Sequence, residues 1–358
     1  MMQIKSLVLL AIIAVALDGP IVARAPVVPA PLAPLFAPDQ GEPRAAILLD
    51  DGRVVAKHYA PGYSDATRFI SWSTAKTMTA MLVGELVADG RLALDAPAPI
   101  AEWHHPGDGR AHITLRQLLN MTSGLRHIEE GQPVERSDAY QVLFVGGTRN
   151  MAARAIAQPL SSPPGRVFEY SSLTTIILAE IIARTLTTSH DPRRRAALYR
   201  EFAETRLFRP AGVTSAVLEF DGAGTQIGGS ILYMSLPDYA RLGGLLYDGR
   251  GVDGTQIIRP DWLAFMETGS PANPNYGGQT WLDGAHVAAR AVATKVAVRP
   301  ATVTAMHGHL GQYVTSFSGR GTDGKLHQWV LVRLGKTNDP KLGPVRAAVD
   351  DVILAQLR

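Results

Sequence analysis

The stretch Phe69–Leu86, FISWSTAKTMTAMLVGEL, decides how the chain is read. Ser73 and Lys76 lie three residues apart where an apolar helix begins. On a helix, residues i and i+3 share a face, so the hydroxyl and the amine can meet. A serine hydroxyl is a weak nucleophile at neutral pH and needs a base within hydrogen-bond reach. A lysine serves as that base only when burial or a nearby cation lowers its pKa. Trp72, Met78, Ala80 and Met81 supply apolar surroundings, and no other lysine of the chain follows a serine at this spacing. A single Ser-x-x-Lys match also fits a capped helix with an exposed lysine, so the stretch needs partners elsewhere.

Outward from this helix the pattern is mixed. Upstream, Asp51-Gly52 separates two apolar runs and predicts a hairpin of Ala45–Leu49 and Arg53–Tyr59. Downstream, helical periodicity covers most of the middle, from ITLRQLLNMTSGL through SSLTTIILAEIIARTL to SLPDYARLGGLLYDGR. Strand character returns in ATKVAVRP, ATVTAMHGHL, QYVTSFS and LHQWVLVRLG, and KLGPVRAAVDDVILAQLR closes the chain as a helix. Strands at both ends with helices between predict an α+β fold, an antiparallel sheet with an inserted helical region at about 76–290.

Composition narrows the function. Hydrophobic residues make up 46% and charged residues 19% of the 358, as in an ordinary globular chain. The net charge of +3 comes without a basic stripe beyond Arg193-Arg194-Arg195, which argues against a nucleic-acid partner. With no cysteine, disulfides, thiol catalysis and Cys-ligated zinc are excluded. His307-Gly308-His309 places two histidines on one strand face without an evident third ligand, so no metal is expected. Residues 1–25 carry Lys5, an apolar run and an Ala-x-Ala pattern, and read as a secretory signal. Pro26 leaves an uncleaved N-terminal anchor as the alternative, so the expected location is periplasmic or secreted, with or without membrane association. Residues 26–43 are proline-rich and read as an extended linker before a domain spanning 44–358.

SWSTAK, LLNMTSGL at Leu118–Leu125, FEYSS at Phe168–Ser172, LPDYARLGGLLYDGRGVDGTQIIRPDWL and GHLGQY together resemble the class C β-lactamase-related serine hydrolases. That family includes penicillin-binding proteins, carboxylesterases, D-amino-acid peptidases and 6-aminohexanoate-dimer hydrolases, and the wording is most similar to the last branch. The resemblance spans about Ala45 to Gly335 and implies a β-lactamase/transpeptidase-like fold and a cofactor-free acyl transfer. It implies Ser73 as nucleophile, with Lys76 and Tyr170 sharing the proton, either of which can be the base. The backbone N–H groups of Ser73 and Gln312 would form the oxyanion hole, with Gly311 allowing close substrate approach. Ser172, His309 and Trp281 would contact substrate. Ser172 replaces the family's asparagine and His309 the lysine that helps hold a β-lactam carboxylate. Both departures favour a small ester or amide. β-Lactamase or D,D-peptidase activity, and a non-hydrolytic binding or sensor protein on the same scaffold, are the alternatives.

Overall fold

The computed structural model describes residues 27–297, 301–338 and 342–357. The proposed signal or anchor at 1–25 lies outside these residues. Among them, no helix is long and apolar enough to cross a membrane.

Among the described residues, nine strands form two sheets: β1 (Glu42–Asp50), β2 (Arg53–Tyr59), β3 (Phe69–Ile70), β4 (Val217–Leu218), β5 (Leu232–Met234), β6 (Trp281–Leu282), β7 (Thr302–Gly308), β8 (Gln312–Arg320) and β9 (Leu326–Lys336). The large sheet runs β2-β1-β9-β8-β7-β6, all antiparallel, and the small one β3-β5-β4. The predicted hairpin is present, and its first strand pairs with β9 from the far end of the chain, Leu48 opposite Leu331. The antiparallel sheet built from both chain ends is therefore the one the sequence predicts.

Successive side chains on a strand point to opposite faces. On β9, Val330, Val332 and Leu334 join the core shared with the helical region, while Trp329 and Leu331 join a second core on the other face. The helices are α1 (Ala75–Ala88), α2 (Leu115–Leu119), the single turn α3 (Asp138–Tyr140), α4 (Met151–Ile156), α5 (Ser172–Leu186), α6 (Pro192–Ala203), α7 (Leu236–Asp248), α8 (Pro260–Met266), α9 (Gly284–Thr294) and α10 (Leu342–Gln356). Helix α7 lies on the first face, where a Cβ at Gly243 would come within 2.8 Å of Val314 and Val330. Helices α9 and α10 cover the second face.

Helix α1 is buried on all sides from Ala75 to Leu86, as a helix without a polar face must be. At Gly84 it leaves room for the Trp262 indole, which donates to the Ala80 carbonyl at 3.1 Å.

Three expectations change. The segment 26–43 is not simply an extended linker, since Ala30–Phe36 forms a 3-10 helix with Leu32 and Leu35 fully buried in the second core. Pro31 stands in the first turn, and Pro34 is accommodated inside because the helix is a short 3-10 one. The inserted helical region ends before 290, because Trp281 already pairs with Ala305 at the sheet edge and α9 packs on the sheet. Residues 293–294 of ATKVAVRP finish α9 instead of starting a strand, and Lys295 caps it in the left-handed region.

Candidate active site

Ser73 sits in a 3-10 turn, Trp72–Thr74, that runs directly into α1. Trp72 holds a φ of 47°, a conformation that non-glycine residues adopt at a cost of roughly 1–3 kcal/mol. Neighbouring Ser71 anchors the turn to β5: its N–H donates to Leu232 O at 2.9 Å, and its hydroxyl accepts from Leu232 N–H at 3.1 Å. The sheet comes close here, for a Cβ at Gly308 would lie 2.6 Å from Ser71 O.

Lys76 is 1% exposed. Its Nζ lies 2.9 Å from Ser73 Oγ, 2.9 Å from Ser172 Oγ and 2.6 Å from Gly229 O. Burial pulls its pKa down to about 8, against the opposing field of Glu129. Among the described residues, no negative side chain accepts directly from the amine; its partners are two hydroxyls and a carbonyl.

Glu129 is the residue that sequence reasoning missed. Its Oε1 accepts from Ser172 Oγ at 2.5 Å and its Oε2 from Ser172 N–H at 2.7 Å, while His127 Nε2 lies 2.5 Å from Oε2. Burial alone would raise its pKa, but His127, Lys76 and Ser172 together outweigh burial and hold it at about 2. The carboxylate is therefore charged and sets the direction of the Ser172 proton. Ser172 can then offer Lys76 only a lone pair. A neutral Lys76 donates to Gly229 O and Ser172 Oγ, and its own lone pair is left for Ser73. No spacing marks this role, because Glu129 and Ser172 are brought together by tertiary structure alone.

Tyr170 lies beneath the amine, with Nζ 4.8 Å from its ring centroid. Burial, with the Glu129 charge, pushes its phenol well above the ordinary range, against the contribution of its contact with the Ser73 hydroxyl. Trp281 packs against it with centroids 5.6 Å apart, and Tyr276 meets both rings edge-on. The other side of Trp281 stacks on His307, 5.3 Å away. His307 lies 2.7 Å from Asp283 and 2.9 Å from Arg346, and a cavity of about 520 Å³ opens there beside Trp281 and Tyr313.

The structure thus brings Ser73, Lys76, Tyr170 and Trp281 together. Ser172 departs from its expected substrate contact: it is 2% exposed, and its hydroxyl is engaged by Lys76 and Glu129. His309 is exposed and meets the Trp72 ring edge-on at 5.2 Å. Leu310 and Gly311 follow with φ of 60° and 79°, and Gln312 opens β8. Buried Gln279 also escaped the sequence reading. Its carbonyl accepts from Thr77 of α1 at 2.7 Å, and its Oε1 accepts from Thr175 of α5 at 2.6 Å. It fixes the segment leading to Trp281 against α1 and α5.

A serine facing a buried, carboxylate-free lysine in an α+β fold of this topology is an arrangement of the β-lactamase type. The family model described as Beta-lactamase matches residues 38–348, and the chain belongs to that family. It is 22% identical over 234 residues to the 6-aminohexanoate-dimer hydrolase of Paenarthrobacter ureafaciens. That match covers 63% of this chain and 57% of the relative, so it spans little more than half the relative's length. A Bacillus anthracis structure with the provisional name 6-aminohexanoate-dimer hydrolase superposes with a TM-score of 0.66 at 21% identity, covering 88% of this chain and 80% of that one. A family VIII carboxylesterase superposes with a TM-score of 0.61 at 17% identity, covering 90% and 95%. These likenesses are ones of fold.

Proposed function

We propose that the protein hydrolyses small esters or amides through an acyl-enzyme at Ser73. The observation that carries this reading is the 2.9 Å approach of buried Lys76 Nζ to Ser73 Oγ, with the other amine contacts already assigned to acceptors. In the neutral amine the lone pair faces the serine proton. With a pKa of about 8, roughly a tenth of Lys76 is neutral at pH 7.

Lys76 takes the proton as Ser73 Oγ attacks the carbonyl. Tyr170, whose phenolate is disfavoured, stays protonated and relays a proton from the lysine to the departing alcohol or amine. The backbone N–H groups of Ser73 and Gln312 hold the tetrahedral oxyanion. Water then attacks the acyl-enzyme, with Lys76 again accepting a proton. The names of the similar proteins, an amide-dimer hydrolase and a carboxylesterase, support this substrate range. The exposed His309, where a lysine would hold a β-lactam carboxylate, weighs against β-lactam chemistry.

The test compares wild type with Ser73→Ala on paired p-nitrophenyl esters and p-nitroanilides, with intact mass after a fluorophosphonate probe. Turnover and one label on Ser73, both absent in the variant, are expected. Equal turnover in the variant would sink the reading.

A further inference from the structure

Arg333 on β9 is 0% exposed, and its hydrogen bonds run to neutral groups. Its Nη1 donates to Gly311 O at 2.6 Å and to Leu310 O at 3.4 Å. Its Nη2 donates to Gln40 O at 2.9 Å and to the Thr337 hydroxyl at 2.7 Å. Burying a guanidinium without a carboxylate is costly, and burial draws its pKa down to about 10, so it stays charged at neutral pH. Such an expense asks what the charge holds in place.

The turn His309-Leu310-Gly311 has its carbonyls tied from behind. The Gln312 side chain donates to His309 O at 3.1 Å, and Thr337 N–H donates to Leu310 O at 3.0 Å. Gly311 O is held by the guanidinium. In a trans peptide the C=O and the next residue's N–H point in opposite directions. Anchoring Gly311 O on Arg333 therefore turns the Gln312 N–H away from Arg333. Arg333 stands on the sheet face that carries α10, since it is paired with Ala46 and Tyr313, both of the second core. The opposite direction is the nucleophile's side. A Cβ on Gly311 would stand 2.8 Å from Arg333 Nη1, so this glycine serves the fit as well as the positive φ.

We propose that Arg333 is a positioning residue for the oxyanion hole: by gripping the Gly311 carbonyl it prevents a flip of the Gly311–Gln312 peptide and keeps the Gln312 N–H aimed at the reacting carbonyl. The proposal rests on the acyl-enzyme reading above. Because the same guanidinium holds the Gln40 backbone carbonyl, the segment before β1 is tied to the turn.

The test uses the full chain with Arg333→Met, which removes the charge and the grip, and Arg333→Lys, which keeps the charge but loses the fork. Three quantities are measured: kcat and KM on a p-nitrophenyl ester, affinity for phenylboronic acid, which binds as a tetrahedral adduct, and hydrogen exchange across 308–314. Arg333→Met should lose roughly 10–100-fold in kcat and in boronate affinity together, with KM little changed. Exchange at 308–314 should rise. Arg333→Lys should fall between, and it carries the comparison if the methionine variant does not fold. Wild-type boronate affinity and unchanged exchange in a folded variant would overturn the proposal. If wild type neither turns over ester nor takes label, the hydrolase reading falls, and the grip on the turn is then decided by hydrogen exchange alone.

Discussion

Glu129 grips Ser172 twice, at its hydroxyl and at its backbone N–H, 2.5 and 2.7 Å away. The double contact makes Ser172 an acceptor toward Lys76, and so decides which way the amine lone pair faces. On the proposed function, a carboxylate with no hydrogen bond to Ser73 would thereby fix the geometry of its activation.

Activity should follow Lys76. The value of kcat/KM should rise with pH and level off above about 8. Glu129 opposes the downward shift of Lys76, so Glu129→Gln should move that limb to lower pH. A pH profile of both proteins on one ester reads this directly, and an unmoved limb would remove Glu129 from the account.

Acid stability should carry the same mark. The folded pKa of Glu129, about 2, lies below its ordinary 4.5. Its contribution is complete above pH 4.5 and is lost as pH falls toward 2, on the order of 3 kcal/mol. Denaturant melts across this window should show a shallower loss in Glu129→Gln than in wild type.

Ser172→Ala should leave the buried Glu129 oxygen and the Lys76 amine each short of a partner. A buried polar group without its partner costs about 1–3 kcal/mol. The expected result is a fall of roughly 5–100-fold in kcat with a lowered melting temperature, whereas Ser172→Thr, which keeps the hydroxyl, should retain most of both.

Trp281→Ala should remove the wall between Tyr170 and the cavity of about 520 Å³ on the far side. Longer or bulkier acyl chains should gain relative to short ones when kcat/KM is compared along an ester series. An unchanged ranking would mean the indole only packs.

Leu35→Ala should destabilise by about 2–5 kcal/mol, because Leu35 is fully buried under the sheet. Thermal or urea melts check this. A loss below about 0.5 kcal/mol would return residues 30–36 to the status of a linker.

Sequence legibility followed the range of the interactions involved. Asp51-Gly52 and the period-two runs of β7, β8 and β9 are local signals, and the hairpin and sheet appear where they predict them. Ser73 and Lys76 are one turn apart, so their meeting could be read from spacing. Glu129, Gln279 and Arg333 act on residues far away in the chain, and neither a period nor a turn residue announces them. The proline-rich segment misled because proline forbids long helices while permitting a short 3-10 turn, and Leu32 and Leu35 sit one such turn apart. The run from Ala293 misled for the converse reason: its valines suit a strand, but the preceding residues bury Val287 and Ala291 at helical spacing and carry the helix through Thr294.

The pairing of β1 with β9 has a consequence for the birth of the molecule. Ser73, Lys76, Glu129 and Tyr170 all leave the ribosome well before Gln312 and Arg333. The strand that carries Arg333 is also the one that closes the sheet on β1. A product terminated before residue 309 would hold Ser73 and Lys76 with no turn opposite them. On the proposed function, the newborn chain would stay chemically silent until that turn and its strand have been made.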